Sequence, residues 1–442
     1  MAYPGNELPI HWQESIEPSI KFLNWEDICQ LTPRAMCLSI GRLGSNSYLL
    51  TILIQEAEYY EEIALTREEL GSNLLAVRQR LDSLRIDAVY MDGGFDSGGG
   101  YHGDFNRPSH TRSGTPLSFL QQVEAFQTFI ADMAHIGSKL YDNLFRNKLL
   151  PLDLLKEGDI IRIDLECEAN DFDYPWAWLY HAPQDRGDTP DVSAFWGYRY
   201  ILEIVPEYRE TIGRQPPTSL ISEVPFKSEM GFWNFAPETK NQRDYFANAV
   251  QSSHERLQHT TWEAPRQFTA ALDKPSAHLY YFFSHGHTAM PHPYRDHVPE
   301  LAPHNNQSYI KLYLGSTCYI YLNQLRAMDL RKISPLIFLN MCESAQVYPM
   351  IASGFVDVFL TSGARGVIGT EIPMSPAFAD LFARYFFDIW FGAKGSPQSL
   401  GQALYELRRQ FMDKKNPFGF AYTLYGDVTA RLAEPLLKQK EE

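Results

Sequence analysis

The chain has 442 residues, 44% of them hydrophobic, enough to bury a large core or two cores packed together, which excludes disorder for most of its length. A formal net charge of −15 argues against holding a nucleic-acid backbone, since clustered Lys and Arg carry that interaction and no basic block occurs. The apolar stretches, 279–283 and 336–339 among them, fall far short of the roughly 20 residues that span a bilayer, and the first residues form neither a basic nor an apolar signal region. A cytoplasmic protein with no membrane contact is expected.

Residues 1–34 are read as an N-terminal extension. From Ala35 to Gln55 two β-rich runs, 36–40 and 48–54, flank the turn-prone Gly44-Ser-Asn-Ser and predict an antiparallel hairpin. Residues 66–85 predict a helix, with Leu70, Leu74, Val77 and Leu81 on one face and Thr66 and Glu69 spaced as a capping box. A short apolar run, 88–91, follows. The Gly-, Asp- and Ser-rich stretch 92–116 reads as a loop; its glycines lack the Gly-Lys-Ser/Thr ending of a phosphate-binding loop. A long helix is expected over 117–145, then strands over 159–165, 176–180 and 197–205.

The Pro-containing segment 211–218 is the expected boundary between two halves. Beyond it a helix at 241–250 precedes a strand at 278–283, a hairpin pairs 309–314 with 318–322, and a strand occupies 336–339. A helix at 353–362 and a strand at 366–370 follow. Ser375-Pro376 and Ser396-Pro397 are each expected to open a helix with a periodic apolar face. Strands alternating with helices imply a mostly parallel sheet covered on both faces.

In such sheets the functional loops lie beyond the carboxyl ends of the strands. Two strands here end on reactive residues: 279–283 runs into Ser284-His285-Gly286, and 336–341 into Cys342-Glu343-Ser344. A free thiol with a pKa of about 8.5 is mostly protonated at neutral pH, so an imidazole that takes its proton supplies the attacking thiolate. The tetrahedral oxyanion formed on attack needs preorganised donors, for which the backbone amides of Gly286 and Cys342 are candidates. Cys29, Cys37, Cys167 and Cys318 have no comparable partner, and the five cysteines never form a Cys-x-x-Cys pair, so neither a disulfide framework nor a structural zinc site is expected.

The segments Tyr281-Phe-Phe-Ser-His-Gly-His and Leu336-Ile-Phe-Leu-Asn-Met-Cys-Glu-Ser-Ala resemble the two catalytic motifs of CHAT-domain proteins, a caspase-like group related to separase in the caspase/gingipain clan. Cys342 follows His285 by 57 residues, near the roughly 50 found in caspases. The similarity extends to Gly363-Ala-Arg-Gly-Val-Ile-Gly-Thr-Glu, Tyr422-Thr-Leu-Tyr-Gly-Asp, Leu140-Tyr-Asp-Asn-Leu-Phe, Pro175-Trp-Ala-Trp-Leu-Tyr and Phe195-Trp-Gly-Tyr-Arg-Tyr. It implies a caspase-like three-layer αβα sandwich: a non-catalytic half at 35–210, the linker 211–218, a catalytic half at 219–432 and a tail at 433–442. It also implies Cys342 as nucleophile, His285 as base and Gly286 as oxyanion donor.

The implied activity is a site-specific cysteine endopeptidase that cuts a partner protein in bacterial defence or programmed cell death. A gasdermin-like protein or another operon-encoded effector is the implied substrate class, and a protein or ligand the implied activator. Two other readings stay open: a catalytically silent scaffold, and a cysteine hydrolase of small amides or esters. His287, Glu343 and Glu371 are candidates for the substrate cleft, where an acid would suit a basic side chain; each is equally compatible with an exposed surface position. His285, His287, His292, His297 and His304 crowd one region but lack the spacing of a zinc motif, so no metal and no cofactor is expected. The aperiodic, Pro- and His-rich stretch 287–308 is read as a long loop placed to restrain access.

Overall fold

The computed structural model describes residues 34–91 apart from 45, 55 and 56; 123–145; 150–208 apart from 167, 168, 170, 171, 173 and 182–189; 219–283 apart from 233–237, 263 and 264; 285–288; 310–313; 319–321; 325; 328–340; and 354–437 apart from 372, 373, 375 and 394. The extension 1–34 apart from Arg34, the linker 211–218 and the glycine-rich stretch 92–116 lie outside these residues.

Eleven strands form one sheet in the first-to-last order β3-β2-β1-β4-β5-β15-β14-β13-β9-β7-β8. They are β1 (Met36–Arg42), β2 (Tyr48–Ile54), β3 (Ala57–Ile63), β4 (Ile160–Leu165), β5 (Ile201–Pro206), β7 (Phe226–Phe232), β8 (Leu257–Trp262), β9 (Leu279–Phe283), β13 (Leu336–Asn340), β14 (Gly366–Thr370) and β15 (Tyr422–Gly426). Short strands β6 (Leu220–Ile221) and β16 (Arg431–Leu432) pair with each other. A second, antiparallel sheet joins β10 (His285–Thr288), β11 (Ile310–Tyr313) and β12 (Tyr319–Tyr321). The described helices are α1 (Arg67–Met91), α2 (Val123–Phe145), α3 (Glu238–Ser252), α4 (Pro265–Asp273), α5 (Phe355–Ser362), α6 (Pro376–Trp390) and α7 (Leu400–Asp413), with a single helical turn at Trp196–Arg199.

The expected hairpin is β1 against β2, and the alternating burial of β2 matches a strand with one face on the core. The capping box forms: the Thr66 amide donates to Glu69 Oε2 at 2.7 Å and the Glu69 amide donates to Thr66 Oγ1 at 3.1 Å. That helix continues through the apolar run at 88–91.

Three expectations are corrected. Residues 176–180 form no strand. Trp176–Trp178 is a 3₁₀ turn whose rings pack in the core, and only Tyr180 makes a β-bridge, to Phe195. Residues 197–199 belong to a helical turn, so the strand begins at Ile201. The second Ser-Pro pair does not open its helix, because Ser399 takes the cap and accepts from the Gln402 amide at 3.2 Å. Among the elements absent from the sequence reading, β3, β7 and β8 complete the main sheet and α4 part of its cover. β7, which lies beside the edge strand β8, carries an exposed Lys227, a buried Ser228 and a half-buried Glu229; Ser228 hydrogen-bonds His259 Nδ1 at 2.8 Å, and Trp262 Nε1 donates to Glu229 at 2.9 Å. Cross-strand partners on β8 thus satisfy Ser228 and Glu229, while Lys227 stays in solvent.

Helices cover both faces around β9. Tyr281 meets Phe246 of α3 and Phe387 of α6, whereas Phe282, on the opposite face, meets Phe268 of α4 and Phe359 of α5. The result is a mixed α/β fold with a central sheet between helical layers. β14 and β15 form an antiparallel seam inside an otherwise parallel region, and β15 is parallel to β5. One sheet therefore runs through both halves of the chain, with the carboxyl ends of β4 and β5 at the edge opposite to those of β9 and β13. α7 closes on the seam through Gly401, where a Cβ would lie 2.7 Å from both Ile201 Cγ2 and Val428 Cβ.

Candidate active site

The strands that carry the two motifs are neighbours. β9 and β13 are both fully buried and parallel, in the register Leu336↔Leu279 through Asn340↔Phe283. β7 lies on the other side of β9 with Phe232↔Phe283, so Phe232, Phe283 and Asn340 form a row along the carboxyl edge. β14 flanks β13 and ends at Thr370, which is buried.

One residue, Ser284, separates Phe283 from His285, and the chain there leaves the main sheet for the small one. His285 pairs with Tyr313, Gly286 with Leu312 and His287 with Lys311. His287 and Thr288 therefore belong to a strand rather than to the loop read over 287–308, the rest of which lies outside the described residues. Gly286 thus sits in extended backbone held on one side by β11. Cys342 and Glu343 lie outside the described residues, two and three positions beyond Asn340.

Asn340 fixes the end of β13, and the sequence reading missed its role. Its Nδ2 donates to the Tyr281 hydroxyl at 2.9 Å and to the Ala379 carbonyl at 2.8 Å, while its Oδ1 accepts from the Tyr422 hydroxyl at 2.7 Å. One buried amide thereby ties β13 to β9, β15 and α6. Burial pushes the Tyr281 hydroxyl well above its ordinary pKa, which keeps it neutral. The signal available in the sequence was a lone polar residue closing an apolar strand.

Glu371 follows β14 directly. Its carboxylate pairs with Arg78 of α1 at 2.9 Å, and the two side chains are 16% and 13% exposed, so it is not a solvated surface charge. Its backbone amide donates to the Ala421 carbonyl at 2.8 Å. Arg408 of α7 is buried nearby, donates to the Tyr422 carbonyl at 2.6 Å, and has its pKa pushed down to about 10 by burial, partly offset by the charge of Glu371. Neither arginine carries a signal in the sequence, because each comes from a helix remote from the motifs. Among the described residues no cluster of His, Cys, Asp and Glu could hold a metal ion, and no helix is long and apolar enough to cross a membrane.

A curated protein from Vitiosangium sp. (strain GDMCC 1.1324), named a probable protease, is 26% identical over 290 residues, which cover 58% of this chain and 33% of that protein. The chain thus spans about a third of the length of the curated relative it matches. Two crystal structures of the Saccharomyces cerevisiae separase–securin complex align over 88% of this chain and 30% of theirs, at 13% and 14% identity, with TM-scores of 0.47 and 0.46. The CHAT domain matches residues 135–427, more than half of the sequence and all of the main sheet from β4 to β15. The chain belongs to the CHAT domain family.

Proposed function

We propose that this protein is a caspase-like cysteine endopeptidase in which Cys342 attacks the scissile carbonyl, His285 accepts the thiol proton and the Gly286 amide donates to the oxyanion. One observation carries the reading. Phe283 and Asn340 are register partners in adjacent parallel strands, and each motif residue lies two positions further along its chain. Parallel neighbours stand about 4.8 Å apart, and two residues of chain reach at most about 7 Å. The chain therefore enters both motifs from the same short stretch of sheet edge, which supports pairing His285 with Cys342.

In this mechanism the thiolate adds to the carbonyl carbon, and the oxyanion is held by backbone donors. The imidazolium then gives its proton to the leaving amine, and water hydrolyses the thioester. His287 and Glu343 border the cleft by sequence position, and Glu371 borders it from the end of β14. Its pairing with Arg78 means that a basic substrate side chain would share or displace that partner. The substrate is a protein in the cytoplasm, of the gasdermin-like or operon-encoded effector class, cut in defence or cell death once a protein or ligand activator has bound. Residues 35–210 support the catalytic half without a catalytic pair of their own.

The test is labelling of the native protein with an iodoacetamide probe, followed by digestion of a peptide library. Labelling at Cys342, lost in Cys342→Ala and slowed in His285→Ala, is expected, with peptide cleavage abolished in both. The two losses should not add, because nucleophile and base act as one unit. An unlabelled Cys342 would support a silent scaffold instead. Labelling without peptide cleavage, even with proteins encoded beside this one, would point to a small-molecule hydrolase.

A further inference from the structure

We infer that a small monovalent anion binds in the cavity between α1, the 176–178 turn, β5 and the start of β15, held by Arg408 and Trp178. The cavity measures about 20 Å³, room for one particle of roughly water or halide size. Its polar walls are Arg78, Arg408, Glu371 and Thr423, and most of the remainder is apolar, with Leu74 and Phe420 among the lining residues.

Arg408 and Trp178 each carry a buried donor with no hydrogen-bond partner. Arg408 is 3% exposed, and although one terminal nitrogen reaches the Tyr422 carbonyl, its Nε is buried without a hydrogen-bond partner. Trp178 is 2% exposed, and its Nε1 is likewise buried and unpartnered. Buried donors of this kind are uncommon and costly. A charged guanidinium costs more, because the desolvated charge itself needs a counter-charge. Glu371 supplies part of one, but that carboxylate is in direct contact with Arg78. A water molecule would satisfy the N–H groups and leave the charge; a halide-sized anion answers both. The apolar wall suits a weakly hydrated ion. The site is independent of the cysteine chemistry proposed above.

The test is thermal unfolding of the full chain at constant ionic strength, with chloride titrated in as gluconate is withdrawn. Chloride should raise Tm along a saturating curve, as a ligand of the native state does. Trp178→Phe keeps the ring packing and removes one donor, so half-saturation should move up by about tenfold or more, the usual worth of a hydrogen bond to a charged partner. Arg408→Met should remove the chloride dependence. Crystals soaked in bromide should show an anomalous peak within hydrogen-bonding distance of Arg408 Nε and Trp178 Nε1, whichever variants fold. Equal Tm in chloride and gluconate, a shift that never saturates and is the same in Trp178→Phe, or bromide-soaked crystals with no peak in the cavity would each overturn the inference.

Discussion

Replacing Asn340 by Leu keeps the side chain near its present size while deleting an amide that makes three buried hydrogen bonds. The substitution removes the donor used by the Tyr281 hydroxyl and the Ala379 carbonyl, and the acceptor used by the Tyr422 hydroxyl. A buried polar group left without its partner costs about 1–3 kcal/mol, so the three together should destabilise the protein by about 3–5 kcal/mol after partial relaxation. The same principle predicts a rescue, since removing both members of a buried polar pair is far cheaper than removing one. In a Tyr281→Phe, Tyr422→Phe background only the Ala379 carbonyl is orphaned, and the cost of Asn340→Leu should fall to about 1–2 kcal/mol. Urea unfolding of the single, double and triple variants, compared by midpoint at constant m value, measures the cycle. Thiol labelling of Cys342 in the same variants reports whether the end of β13 has moved. A single-variant cost below about 1 kcal/mol, or an equal cost in both backgrounds, would refute the view that this amide holds the strand end.

Two further outcomes are expected. A fragment of residues 219–442 should be insoluble or inactive, because it uncovers the β15 edge that pairs with β5 and strips Phe420 of its contacts with Trp178 and Phe195; full-rate cleavage by the soluble fragment would exclude this. Burial pushes His259, stacked on Phe246, down to about 3. The unfolded chain therefore takes up a proton near pH 6.5 that the native state refuses, and stability falls as pH drops from that point towards 3, by at most about 1.4 kcal/mol per unit. His259 keeps some solvent contact, which makes this slope a ceiling, and His259→Gln should flatten it in urea titrations across pH 4–6.5.

The strands bearing the motifs were legible because their composition is extreme. Leu279–Phe283 and Leu336–Asn340 are continuous apolar runs that only a strand buried on both faces can use, and each delivers a chemically distinctive residue at its end. β7 was not legible, because its Lys227, Ser228 and Glu229 resemble a surface segment until the partners on β8 are in place. The aromatic run at 176–180 misled for a related reason: Trp and Tyr favour strands, yet here Trp178 fills space between α2 and the turn that leads into β15. Pairings such as Arg78 with Glu371, 293 residues apart, have no local trace at all. The Asn340 hub lay between, visible as an oddity in the sequence and intelligible only once three distant partners converge on it.

The position of β15 sets the order in which the molecule can be assembled. It comes after every other strand of the main sheet in the sequence, yet in space it is the sixth of eleven. A chain synthesised only as far as Asp413 can hold β1 to β5 as one partial sheet and β7, β8, β9, β13 and β14 as another, with the edges of β5 and β14 both bare. Those edges meet only when residues 422–426 arrive and stitch them together, a late, long-range event of the kind that slows folding and exposes intermediates to sticking. Until that insertion, neither the Tyr422 hydroxyl that steadies Asn340 nor the Tyr422 carbonyl that receives Arg408 is present. The nascent chain thus lacks the parts that firm up its own strand end, and competence waits on the keystone.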